Sequence, residues 1–307
     1  MLSANYQKHF PVMLLEVLQA LQPTDGKIYV DATFGNGGYS EAILNAADCK
    51  VIALDRDPSV QPRAEEMRRQ YGARFDFRAG QFSDFATLVN EEIDGAVFDI
   101  GVSSMQLDQA ERGFSFAKDA PLDMRMSQNG ISAADIVNSY GEEDLANLIY
   151  QFGEERKSRA IARKIIEARK IQPISTTKQL ANIIYGIIHK TPKAIDPATR
   201  TFQALRIAVN DELGELQQGL KGATSRLKTG GRLVVVDFHS LEDRIVKNYF
   251  KENTGKAVHV SRYRPETSTI DNGKVFSECS KAIMPSPEEL TVNNRSRSAK
   301  LRYAVKK

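Results

Sequence analysis

Three acids and a group of glycines are the residues of this chain best suited to hold a small cofactor. Gly35, Gly37 and Gly38 follow Asp31 in the run Asp31-Ala-Thr-Phe-Gly35-Asn-Gly37-Gly38, with Ser40 just beyond. Glycines so placed let a backbone turn sharply and admit a ligand without interference from a Cβ. A dinucleotide fingerprint wants a third glycine where Ser40 stands, and here an extra acid precedes the turn, so the pattern favours a methyl donor over NAD. A purely structural turn is the alternative. Asp55 comes twenty residues after Gly35, where a carboxylate can take both hydroxyls of a ribose or, instead, cap a helix ahead of Pro58. Phe82 is placed either to lie against an adenine or to join the core. Asp99 closes another apolar run, at the edge where a reacting methyl group would sit.

Other candidates are more ambiguous. His239 follows a further strand-like run and reads as a proton acceptor, a phosphate contact or a structural hydrogen-bonding group. Glu154 to Lys170 holds seven basic and three acidic residues, with Arg156, Arg159, Arg163 and Lys170 near one helical face. Such a face meets a phosphate backbone or is simply solvated. Asn293 to Lys307 adds six basic residues and no acid, and together the two segments favour a nucleic-acid substrate. Cys49 and Cys279 lack metal-ligand spacing and read as buried free thiols, and no metal is expected.

Positioning these residues requires a sheet. Lys27 to Asp31, Lys50 to Asp55, Arg74 to Arg78, Ile93 to Ile100 and Gly231 to Phe238 are short, β-rich and in several cases end in Asp. Helical patterns such as Ser40 to Ala47 and Ser59 to Tyr71 alternate with them, which predicts a mainly parallel, doubly wound α/β sheet. Between Gly101 and Gly230 no comparable strand occurs, although a crossover needs only one helix. A small helical domain is therefore expected as an insert over 106–195, dividing a cofactor-binding domain of 1–105 and 196–307. Ala133 to Phe152, Glu154 to Lys170 and Thr177 to His189 are its predicted helices, with Ser132 and Thr176 as N-caps. Thr201 to Leu220, with Phe202, Leu205, Val209, Leu213, Leu216 and Leu220 at helical spacing, is predicted to be one crossover helix. Lys256 to Tyr263 and an antiparallel Ser298 to Val305 are predicted to close the sheet, with Thr267 to Thr291 as loop.

Composition sets the frame more loosely. The 307 residues carry 42 Lys and Arg against 39 Asp and Glu, a net charge of +3 that by itself shows no nucleic-acid binding. Met1 to Lys8 lacks the apolar core of a signal peptide and no run is long enough to span a membrane, so a cytoplasmic enzyme is expected. Monomer and homodimer are both open.

Several longer strings carry a resemblance. They include Asp99-Ile-Gly-Val-Ser-Ser104, Glu111-Arg-Gly-Phe-Ser-Phe116, Pro121-Leu-Asp-Met-Arg-Met126 and Phe152-Gly-Glu-Glu-Arg156. Pro197-Ala-Thr-Arg-Thr-Phe-Gln-Ala-Leu-Arg206, Phe238-His-Ser-Leu-Glu-Asp-Arg-Ile-Val-Lys247 and Arg295-Ser-Arg-Ser298 continue it, and His9-Phe-Pro-Val12 begins it. In these strings the chain resembles, over nearly its whole length, the RsmH (MraW) family of bacterial 16S rRNA cytosine-N4 methyltransferases. The resemblance implies a class I, Rossmann-like fold, S-adenosylmethionine as cofactor, and a decoding-centre cytosine of the small ribosomal subunit as substrate.

Carried over by position, the family's donor-binding residues fall on Gly37, Gly38, Tyr39, Asp55, Phe82, Asp99 and Gln106. The family has His where this chain has Tyr39, so no imidazole acts there, and the family's His before Pro-Ala-Thr-Arg is missing from Lys193 to Asp196. On this reading Asp99, or a backbone carbonyl, accepts a hydrogen of the cytosine amine during attack on the donor methyl, with His239 as a second candidate. Arg156, Arg159 and Arg206 are the candidate rRNA contacts. The competing expectations are a non-catalytic ribosome-binding factor on the same scaffold, which the intact glycines and acids oppose, and an NAD-dependent oxidoreductase, which Ser40 opposes.

Overall fold

The computed structural model describes residues 11–192, 194–254 and 274–307. They divide into two compact units, one formed by residues up to 101 together with 213–307, the other by 102–212.

The first unit is built on seven strands: β1 (Ile28–Asp31), β2 (Lys50–Asp55), β3 (Phe75–Ala79), β4 (Ile93–Asp99), β5 (Leu227–Asp237), β6 (Phe276–Cys279) and β7 (Lys300–Lys306). Their order is β3-β2-β1-β4-β5-β7-β6, with the first five parallel and β7 antiparallel to both β5 and β6. This is a mainly parallel, doubly wound α/β sheet with a reversed strand near one edge. The central strands are continuous apolar runs because both of their faces are covered, as the burial of Ile52, Leu54, Val97, Phe98, Val234 and Val235 shows. On one face Leu216, Leu220, Ala223, Val246 and Phe250 complete a core with Val30, Ile52, Phe98 and Val235. The helices before the insert are α1 (Leu14–Leu21), α2 (Gly38–Ala46), α3 (Gln61–Tyr71) and α4 (Phe85–Leu88).

The second unit is helical. It holds α5 (Ser104–Asp108), α6 (Ala133–Ser139), α7 (Glu142–Gly153), α8 (Ser158–Arg169), α9 (Thr177–Tyr185) and α10 (Ala198–Asn210) around its own core. Ser132 and Thr176 cap α6 and α9, each in a reciprocal capping box with Asp135 and Gln179. The predicted single helix over 133–152 is two, because Tyr140 and Gly141 are extended between α6 and α7.

A second correction moves the boundary of this unit. The predicted helix over 201–220 is broken at Asp211, which adopts a left-handed conformation (φ 46°) and ends α10. After it, α11 (Glu212–Arg226) leads into β5, followed by α12 (Ser240–Thr254) and α13 (Pro287–Val292). The stripe that reads as one helix serves two cores: Phe202 and Leu205 belong to the helical one, with Val209 packed against it, and Leu216 and Leu220 to that of the sheet. The helical unit accordingly runs to 212 rather than 195, and it begins at 102 rather than 106.

The predicted strand over 256–263 lies outside the described residues. The segment 267–291, predicted as loop, contains β6 and the start of α13 within its described part; Ser286 caps α13 and Pro287 opens it. Among the described residues no helix is long and apolar enough to cross a membrane.

Candidate functional site

Four neighbouring parallel strands end in aspartate at the carboxyl edge of the sheet. In spatial order these are Asp55 on β2, Asp31 on β1, Asp99 on β4 and Asp237 on β5. In an open parallel sheet this edge is where ligands bind.

Asp31 is fully buried and its Oδ2 accepts both the backbone amide of Ser40, at 3.1 Å, and its hydroxyl, at 2.7 Å. Oδ1 accepts the Thr33 amide at 3.3 Å. Burial raises this carboxyl to about 6 against the lowering effect of those donors. Ser40 therefore replaces a third glycine with a hydroxyl that ties α2 to the end of β1.

The turn between β1 and α2 is held from β2. Asp55 Oδ2 accepts the Gly35 amide at 2.7 Å and Oδ1 accepts the Asp57 amide at 2.8 Å. Each oxygen retains a lone pair, so this engagement leaves acceptor capacity for a diol. Burial raises the Asp55 carboxyl, opposed by the Asp57 and Gly35 amides. The alternative role, capping the 3-10 turn at Pro58–Val60, belongs to Asp57, whose Oδ1 accepts the Ser59 amide.

The paired glycines have a structural reason that spacing did not reveal. Gly37 has φ 76°, and a Cβ there would lie 2.6 Å from Met67 Sδ and 2.8 Å from the Phe34 ring. A Cβ on Gly38 would collide with Pro11. Tyr39, the next residue, is buried, and its hydroxyl donates to the Val12 carbonyl. It thus pins the segment before α1 to the first turn of α2.

The Asp99 backbone amide donates to the Thr33 hydroxyl oxygen at 2.7 Å. Its Oδ1 is buried and has no hydrogen-bond partner among the described residues. Burial, then the nearby Asp31 and Glu242, push this carboxyl well above the usual range, while the Tyr39 hydroxyl opposes the rise. Phe82 opens the 3-10 turn after β3, half-buried, with its ring edge-on to Phe98 at 5.7 Å. It packs on the core and keeps part of its surface open.

Asp237 is the site residue that sequence reasoning passed over. It is fully buried, and neither carboxyl oxygen has a hydrogen-bond partner among the described residues. Burial and the acids Asp243 and Glu242 raise it to about 8. Its signal was present, since β5 ends in Asp as β1, β2 and β4 do. His239, two residues on, places Nε2 3.0 Å from Glu242 Oε1 while Glu242 Oε2 accepts the amides of Phe238 and His239. Both ring nitrogens of His239 are buried, and neither has a hydrogen-bond partner among the described residues.

Comparison with known proteins decides the family. The model of the MraW methylase family matches residues 6–307. The chain belongs to the MraW methylase family. Its relatives include the ribosomal RNA small subunit methyltransferase H of Rickettsia massiliae, 55% identical over 300 residues, covering 97% of this chain and 98% of that protein. The protein of the same name from Rhodospirillum rubrum is 53% identical over 302 residues, covering 96% and 93%. Among solved structures, an rRNA methylase from Streptococcus thermophilus is similar at 11% identity and a TM-score of 0.42, covering 95% of this chain and 93% of that one.

In this MraW family member the remaining candidates fall in the helical unit or the tail. Gln106 is buried, and its carboxamide oxygen accepts the Ser103 amide in the capping box of α5. Arg156 and Arg159 are exposed at the start of α8, whose opposite face buries Ile161, Ala162 and Ile165. Arg206 is not free for phosphate. Its Nε and terminal nitrogen each donate to Glu212 at 2.8 Å, in a bidentate pair whose carboxylate is 3% exposed. The basic tail is also largely spoken for: Lys300 and Arg302 pair with Asp243, and Lys306 donates to the Thr224 carbonyl. Cys49 is a buried free thiol as expected, whereas Cys279 is only half-buried.

Proposed function

We propose that this chain methylates the exocyclic N4 amine of a cytosine in the decoding centre, at the P site, of 16S rRNA within the small ribosomal subunit, with S-adenosylmethionine as donor. The observation that carries the reading is the row of strand-end carboxylates beside a glycine turn, in a family of methylases whose named relatives act on small-subunit rRNA.

The residues present suit such a donor. Asp99 Oδ1 is a buried acceptor still lacking a partner, and Asp55 holds the glycine turn while retaining lone pairs for a ribose. Gly37, Gly38 and Tyr39 shape the turn, Phe82 is proposed to lie against the adenine, and Asp99 is proposed to stand nearest the reacting group. When bound, the donor supplies an electrophilic methyl on a sulfonium. The chain's part is to position the weakly nucleophilic amine, whose lone pair is delocalised into the ring, and to accept one of its hydrogens at Asp99. Arg156 and Arg159 are proposed to hold rRNA phosphates, which orient the substrate without reading its sequence.

Incubation with labelled donor and small subunits from cells lacking this activity, followed by mass-spectrometric mapping, tests the proposal. Label on the N4 position of a decoding-centre cytosine is expected. Label on another base, or none despite bound donor, overturns it.

A further inference from the structure

On α7 the residues Leu145, Ala146, Leu148, Ile149 and Gly153 are buried, which leaves Asn147 and Tyr150 on the outward side. Tyr150 is 60% exposed, so its ring presents a face to solvent. It does not stand alone. With Asn147 it lines a concavity of about 670 Å³ whose other walls are residues 156–160, among them Arg156, Lys157 and Arg159, with no carboxylate. Four other cations of this stretch are engaged: Lys157 donates to the Ile187 carbonyl, Arg163 faces Glu142, Lys164 pairs with Glu167, and Arg169 donates to the Val137 carbonyl. Arg156 and Arg159 are exposed and have no ion-pair or hydrogen-bond partner among the described residues.

An open aromatic face flanked by unpartnered guanidinium groups matches one ligand chemistry, a flat base joined to phosphates. We propose that this concavity is a stacking subsite for an unpaired RNA base, with Tyr150 against the base and Arg156 and Arg159 on the adjoining phosphates. The base must be unpaired and splayed, because within a helix its faces are covered by its neighbours. The proposal rests on the rRNA reading above and adds which part of the substrate the helical unit takes: a single-stranded segment, held by a ring as well as by charge.

The test measures binding of a fluorescent single-stranded RNA dodecamer, and of the same sequence as a duplex, across a range of salt. Tyr150→Ala should weaken single-strand binding about 5- to 150-fold, the range for loss of one base stack, and leave the salt dependence unchanged. Tyr150→Phe keeps the ring and should bind within about twofold of the parent. Arg156→Gln and Arg159→Gln should each lower the slope of log affinity against log salt by roughly 0.7. Single-strand binding indifferent to Tyr150→Ala, a duplex bound as tightly as the single strand, or equal competition by an acidic peptide of matched charge would overturn the subsite. Methyl transfer to small subunits, measured in parallel, separates the two readings. Transfer without Tyr150-dependent binding removes the subsite alone, and Tyr150-dependent binding without transfer removes the methylation reading alone.

Discussion

The Asp55 carboxylate accepts the Gly35 amide at 2.7 Å, so the residue that ends β2 holds the turn that follows β1. With Asp55 as the proposed ribose acceptor, donor affinity and the order of that turn would be coupled through one side chain. Asp55→Ala removes both the diol acceptor and the brace, and should weaken S-adenosylmethionine binding about 10- to 100-fold, given the strength of hydrogen bonds to charged groups. Calorimetric titration reads this directly. An affinity within twofold of the parent chain would take Asp55 out of the site.

Asp99 and His239 should behave differently. Asp99→Ala should lower turnover roughly 100-fold or more, as loss of a group that accepts a proton from the nucleophile does. His239→Gln should lower the melting temperature and reduce turnover less than about tenfold, because the buried imidazole packs with its Nε2 3.0 Å from Glu242 at the start of α12. A hundredfold loss of turnover in a His239→Gln protein that melts normally would instead make that histidine the proton acceptor.

Stability should fall as pH rises. Asp237 sits at about 8 in the folded chain against an ordinary 3.8, so the folded state binds more protons than the unfolded one across that interval. The resulting stabilisation is complete below about 3.8 and is lost as pH passes through 8; Asp31, at about 6, acts with the same sign over the lower part. Denaturation measured from about pH 5 to about pH 9 should show a loss on the order of a few kcal/mol that is smaller in Asp237→Asn. Parallel profiles for the two proteins would mean that Asp237 is not held neutral.

Arg206→Ala should act on folding rather than on RNA. It strands the Glu212 carboxylate, 3% exposed, and should cost about 2–4 kcal/mol by chemical denaturation. The salt dependence of subunit binding should stay as in the parent chain, and a reduced slope would return Arg206 to the phosphate contacts.

The alternation of apolar runs with helical patterns made the sheet legible, because parallel strands covered on both faces leave an unmistakable signal. The strand ends were legible for the same reason, which is how Asp31, Asp55 and Asp99 came to notice. What spacing cannot convey is the partner of a side chain. Gly37 and Gly38 suggested room for a ligand, whereas Met67, Phe34 and Pro11 occupy the space a Cβ would need. Arg206 looked like a free cation until Glu212, six residues on, proved to face it across the break at Asp211. That break was itself hidden, since an apolar stripe continues smoothly when two successive helices feed two different cores. Asp237 shares the strand-end signal of the other three acids, but that it lacks a partner for either carboxyl oxygen is visible only in the structure.

The reversed strand also shapes what one edge of the sheet offers to another chain. β7 is paired on both sides, and the strand beyond it, β6, is only Phe276–Cys279, with a register irregularity between Phe276 and Glu278. Among the described residues, a second chain seeking to extend the sheet there would find a short template with an irregular register and Glu278 exposed along it. The same irregularity that looks like an imperfect end to the fold is a guard against edge-to-edge polymerisation.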